Sequence, residues 1–347
     1  MSDWQAERRK RDEKRRAEVM TLPVLPVRRH ATFTASDPGD VLVRASVGPD
    51  GQAVALWTSP EERSALSATT TQPGWASFPD PQASRPVTAR VTLHRAAPAV
   101  TSVEIAELPL AHPTVQVLPD GHILLVGARC RWRPDGPDRN AIIYDADGQV
   151  IIEATIGDGV EHVLVSRSGH IWVGYFDEGV YGNYGWGDAG APAPLGATGL
   201  MRFTSNLEAD WRYPADAQNA WGAISDCYAL NVDGDTAWAC YYTDFPVICV
   251  QDGTVTGWRN SLARSVRAVV VTDTQVALYG GYGPDHDVLV LASRGQHQLD
   301  RLTEYRLVLP DRAPLPATMQ AVGRGAHLHL IDRIEWYQVN LDELTTT

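Results

Sequence analysis

The chain has 347 residues, 44% of them hydrophobic and 21% charged, a composition that buries a core and excludes a mainly disordered protein. Its 30 basic and 42 acidic residues give a net charge of −12, which argues against a nucleic-acid-binding body, because phosphate neutralisation needs a basic face. No apolar run approaches the roughly 20 residues of a spanning helix, so no membrane span is expected.

Residues 1–27 read as a charged N-terminal arm. Seven basic side chains, Arg8 to Arg11 and Lys14 to Arg16, stand among five acids in the first 20 residues, leaving the remainder at net −14. The interspersed signs allow i,i+4 pairs on a solvated helix or frayed tail. A basic arm that docks a partner is the sharper alternative, although Trp4, Ala6, Ala17 and Val19 do not form a wide apolar stripe. The short, proline-broken stretch at 19–26 does not suit a signal peptide, so a cytoplasmic location is expected. Only Lys10 and Lys14 interrupt an otherwise all-arginine basic complement, which suits a high-GC bacterial source.

From residue 28 to 344 the pattern is one of short strands rich in Val, Ile, Leu, Tyr and Trp, broken by Gly, Pro and Asp turns, within a single all-β domain. A hairpin recurs. Its clearest copies are 115–118 with 122–127 around Asp120-Gly121, 163–165 with 170–174 around Ser168-Gly169, 228–232 with 235–240 around Asp233-Gly234, and 267–271 with 275–280. Weaker copies stand at 43–47 with 52–57 and at 319–322 with 326–331. Glycine at these turns supplies the positive φ that a tight hairpin needs. Segments such as 140–144 with 149–154, and 246–250 with 254–258, supply third and fourth strands.

Six such hairpins predict a six-bladed β-propeller; a seventh hairpin within the weakly patterned segment 64–110 would make seven blades. Too little chain follows residue 341 for a last outer strand, so residues 30–35 are expected to supply it and close the ring. The stretch Ser166-Arg167-Ser168-Gly169-His170-Ile171-Trp172-Val173-Gly174 resembles the repeat of two-component-regulator propellers. That resemblance implies a propeller scaffold and no particular activity.

Loops joining the second and third strands gather at one rim, where aromatic and acidic residues recur: Trp132, Tyr175, Asp177, Glu178, Tyr241, Tyr242, Asp244, Tyr282 and Asp285. The expected function is a recognition module binding a protein partner or small ligand there, with no cofactor. A glycine-rich insertion at 179–199 could form a lid. Starts of the innermost strands add His112, Glu161, His162, Asp226 and Arg267 at the channel top. The alternative is a metal-assisted hydrolase or lyase in which Glu161 and Asp226 hold Ca²⁺ or another divalent metal and His162 is the general base. That arrangement would be similar to propeller lactonases. With Asp233-Gly234 as the turn, Cys227 is expected opposite Cys240, as a pair of thiols.

Overall fold

A computed structural model describes residues 3–71, 77–94 and 100–344. Among these residues the chain forms six four-stranded antiparallel units arranged as the blades of a propeller. Blade 1 runs through Val41–Val47, Ala53–Thr58, Gln82–His94 and Val100–Leu110, and blade 2 through Pro113–Val117, Ile123–Gly127, Ala141–Tyr144 and Val150–Ala154. Blade 3 comprises Val160–Val165, Ile171–Tyr175, Leu200–Phe203 and Ala209–Arg212. Blade 4 comprises Asp226–Asp233, Thr236–Tyr242, Val247–Gln251 and Thr254–Trp258. Blade 5 is built from Ala268–Val271, Gln275–Tyr279, Val288–Arg294 and Leu299–Val308. Blade 6 takes Gln320–Arg324, His327–Asp332 and Glu335–Asn340 from the end of the chain and Arg28–Thr32 from its start.

All six hairpins expected from the sequence are the inner pairs of these blades. Between residues 64 and 110 the chain makes a short helix, Pro60–Leu66, a two-stranded ribbon and the outer half of blade 1; residues 72–76 and 95–99 of that segment lie outside the described residues.

Inner strands are apolar at nearly every position because neighbouring blades cover both faces of each sheet. Ile123–Gly127 and Ile171–Tyr175 are buried throughout, whereas the outermost strands Val150–Ala154 and Ala209–Arg212 are largely exposed. The core is divided accordingly. Six hydrophobic clusters fill the six interfaces between consecutive blades, including the interface of blade 6 with blade 1. There Phe33 stacks on Trp336, ring centres 5.7 Å apart, and both pack with Trp57 and Ile331. Burying each of these side chains contributes about 2 kcal/mol.

The closing strand pairs antiparallel with Glu335–Asn340, beginning two residues earlier than the sequence suggested. Just before it, Val24–Pro26 adds parallel to the outer strand of blade 5 as a fifth strand, so one short segment is sewn into the last two blades. The helix preceding both, α1 (Asp3–Val19), lies against blade 5. Arg16 makes a two-pronged ion pair at 2.6 and 2.9 Å with the fully buried Asp287, Arg15 bonds Asp285 at 2.8 Å, and Val19 is buried in the core between blades 4 and 5. Two of its basic residues, Arg15 and Arg16, therefore serve contact with the same chain. No described helix is long and apolar enough to cross a membrane.

The cysteine register differs from expectation. The blade 4 turn sits one residue later, with Asp233 opposite Thr236, and a bulge at Tyr228 shifts the ladder again. Cys227 therefore faces Tyr241 and Cys240 faces Ala229; all four cysteines are free and buried.

Candidate functional site at the channel mouth

Toward one end of the inner strands, polar side chains bridge neighbouring blades. Asn231 of blade 4 donates its amide to the carbonyls of Val269 and Gly325 at 2.8 and 3.0 Å and accepts the Gly325 N–H at 2.8 Å, tying blades 4, 5 and 6. Gly323 allows this approach: a Cβ there would lie 2.1 Å from the Val269 carbonyl oxygen. Arg324 donates to the carbonyls of Val232 and Val47, and Gln116 donates to Ser46 Oγ at 2.5 Å.

Above this floor the channel widens into a funnel of about 480 Å³. Its wall carries Arg44 and Ser46 of blade 1, Thr114 of blade 2, Glu161 and His162 of blade 3, Asp226 and Tyr228 of blade 4, and Gln320 of blade 6. Phe176 and Ser265 reach it from the loops, and Arg267 from the entry to blade 5. Alternation along the strands explains the placement, since Arg44 and Ser46 share a face of Val41–Val47.

Two of the funnel's charged groups lack strong partners. Neither Arg44 nor Glu161 makes a salt bridge or side-chain hydrogen bond among the described residues. Crowding by protein lowers the pKa of Arg44 while nearby Glu161 opposes that shift, yet the residue keeps solvent-accessible surface. It is both hemmed in and wetted. Burial, helped by the negative charges of Asp177 and Glu161, pushes Asp226 up to about 6. Burial also lowers the pKa of His162, whose Nε2 has no hydrogen-bond partner.

Of the sequence candidates, Glu161, His162, Asp226 and Arg267 thus meet at the funnel. Arg267 is committed to holding the chain before blade 6, donating to the carbonyls of Ala317 and Met319. His112 sits beside the funnel in a side cleft that Arg44 and Glu161 also line, with its Nε2 on the Ala68 carbonyl at 2.8 Å. Asp177 is exposed nearby.

Others serve the frame. Tyr175 and Tyr241, expected on the rim, are fully buried: the first donates to the Ile156 carbonyl, and the hydroxyls of Tyr241 and Tyr213 share a hydrogen bond of 2.8 Å. Glu178 pairs with buried Arg129, which also grips Asp158 through two bonds of 2.9 Å. Trp132 is fixed by a backbone bond to Tyr184, and Asp285 is taken by Arg15. Tyr242 and Asp244 remain exposed at the rim; Tyr282 is exposed too and shares a 2.5 Å hydrogen bond with Tyr228.

The insertion at 179–199 is anchored. Trp186 is buried and donates to the Cys130 carbonyl, while Tyr184 lies over the guanidiniums of Arg129 and Arg131 and donates to the Pro79 carbonyl.

Arg44, Ser46, Thr114, Tyr228, Ser265 and Gln320 were not singled out in the sequence. A usable signal was the arginine inside the apolar strand Val41–Val47, since a charge there must face either a partner or a wet channel. No three His, Cys, Asp or Glu side chains gather closely enough to hold a metal among the described residues, so Glu161 and Asp226 do not by themselves make a cation cage.

No protein-family model matches the chain, and no curated protein matches its sequence. Solved structures align with most of the chain at low identity. An aldose sugar dehydrogenase from Streptomyces coelicolor is 12% identical with a TM-score of 0.43 over 91% of this chain and 97% of that one. A gluconolactonase from Xanthomonas campestris is 13% identical with a TM-score of 0.41, over 90% and 99% of the two chains. A virginiamycin B lyase from Staphylococcus aureus is 10% identical with a TM-score of 0.38, over 90% and 98%.

Proposed function

We propose that the protein is a ligand-binding propeller whose channel mouth takes a small, polyhydroxylated organic acid. The observation that carries this reading is Arg44, a guanidinium without a salt-bridge partner among the described residues on the wall of the funnel. A ligand carboxylate would complete it through two parallel bonds. Around it, Ser46, Thr114, Ser265, Tyr228 and Gln320 offer the hydrogen-bonding groups that hydroxyls need; Glu161 and Asp226 can accept, and Asp226 can also donate below about pH 6.

Calorimetric titration with gluconate, glucuronate and uncharged glucose tests this. The acids should bind saturably and more tightly than glucose, and Arg44→Gln should weaken them at least about tenfold without lowering the unfolding midpoint. Affinity for the acids unchanged by Arg44→Gln would refute it.

A second reading rests on Asp226, whose pKa of about 6 lies close to neutrality beside an imidazole that burial keeps uncharged. Such a pair suits general acid–base work in a hydrolase or lyase. A divalent metal with ligands from Glu161 and Asp226 would draw the rest of its shell from water or substrate oxygens. Unfolding midpoints after chelation, with Ca²⁺, Mg²⁺, Mn²⁺ and Zn²⁺ returned singly, favour this reading if one metal raises the midpoint and Asp226→Ala abolishes the rise.

A further inference from the structure

We propose that the cleft between α1 and blade 5 is a second binding site, separate from the funnel, for a small aromatic phosphomonoester. The cleft encloses about 680 Å³. One wall is the face of α1 that carries Trp4, Arg8, Arg11 and Arg15, residues spaced by three and four and so aligned along one side of a helix. Arg264, from the loop entering blade 5, and Arg301, from that blade's outer strand, face it. The loop is held in place by Asn260, whose carbonyl oxygen accepts the N–H groups of Leu262 and Ala263 and whose amide donates to Phe245 and Ala263.

The charges in this cleft do not balance. Asp12, Asp285 and Glu304 line it as well, and each is already engaged. Asp285 binds Arg15 at 2.8 Å, Glu304 binds Arg301 at 2.6 Å and Arg15 at 3.5 Å, and Asp12 lies 3.9 Å from Arg8. Arg11 and Arg264 are left with no salt bridge or side-chain hydrogen bond among the described residues. Two uncommitted guanidiniums on one cleft match the two charges of a phosphomonoester, and their fork geometry fits its oxygens.

Trp4 and Tyr282 are more than half exposed at the same cleft and offer ring faces to the group carrying the phosphate.

The test is titration of the full chain with phenyl phosphate at fixed ionic strength. Saturable binding is expected, weakened about tenfold by Arg11→Gln and again by Arg264→Gln, and unchanged by Arg9→Gln on the same helix outside the cleft. Arg44→Gln should also leave it unchanged, which separates this site from the funnel. Because neither Arg11 nor Arg264 holds the fold, both variants should keep the wild-type unfolding midpoint. Absence of saturable binding at millimolar phenyl phosphate, or affinity that Arg11→Gln and Arg264→Gln leave intact, would overturn the proposal.

Discussion

The two ends of the channel are built from similar residue types and behave oppositely. At the floor, Asn231, Arg324 and Gln116 each reach across to another blade; both polar atoms of the Asn231 side chain are used, while Gln116 Oε1 and Arg324 Nε are left without a partner among the described residues. At the mouth, on equivalent strands, Arg44, Glu161 and Asp226 make no salt bridge or side-chain hydrogen bond among the described residues, and the Nε2 of His162 is unpaired. Arg44 and Glu161 keep contact with solvent there, so they stay hydrated without a protein partner and are open to something that arrives from outside. The full satisfaction of Asn231, set against the unpaired groups of the mouth, marks scaffold from site here.

The sharpest way to break this comparison is at the floor. Asn231→Leu keeps the side chain's bulk but strands the carbonyls of Val269 and Gly325 and the Gly325 N–H. It should destabilise the fold by about 3 kcal/mol, read by urea unfolding. Arg44→Gln at the mouth should move stability by less than about 0.5 kcal/mol while removing most of the affinity for organic acids. If the two substitutions cost the same in stability, the distinction between the ends fails.

Hairpins were legible in the sequence because their determinants are local. Gly121 and Gly169 carry the positive φ of tight turns, and the apolar runs beside them are wholly buried. The closing strand was legible by counting, since the last blade was one strand short. The rim was not. Whether a tyrosine at a strand end faces the core or solvent depends on a single-residue offset, and bulges such as those at Tyr228 and Glu161 reset the alternation. Hence Tyr241 is buried while Tyr242 next to it is exposed. The docking of α1 was equally hidden, because Arg16 and its partner Asp287 stand 271 positions apart in sequence.

Asp226 offers the smallest and most specific test. Its folded pKa of about 6 stands above the ordinary 3.8, so the folded state holds this proton more firmly than the unfolded chain. The stabilisation is complete below pH 3.8 and is lost as pH rises through about 6; above that, an ionised carboxylate sits near Glu161 and Asp177. Asp226→Asn keeps a neutral group throughout. The variant should therefore gain about 1 kcal/mol on the wild type at pH 7.5, after discounting for solvent screening of a half-exposed group, and nothing at pH 3.5. His329, His94 and His30 pull the other way in both proteins, because burial lowers their pKa values and stability then falls as pH drops below 6.5. Only the difference between the two pH profiles isolates Asp226, and a flat difference would place its carboxylate with the satisfied side chain of Asn231.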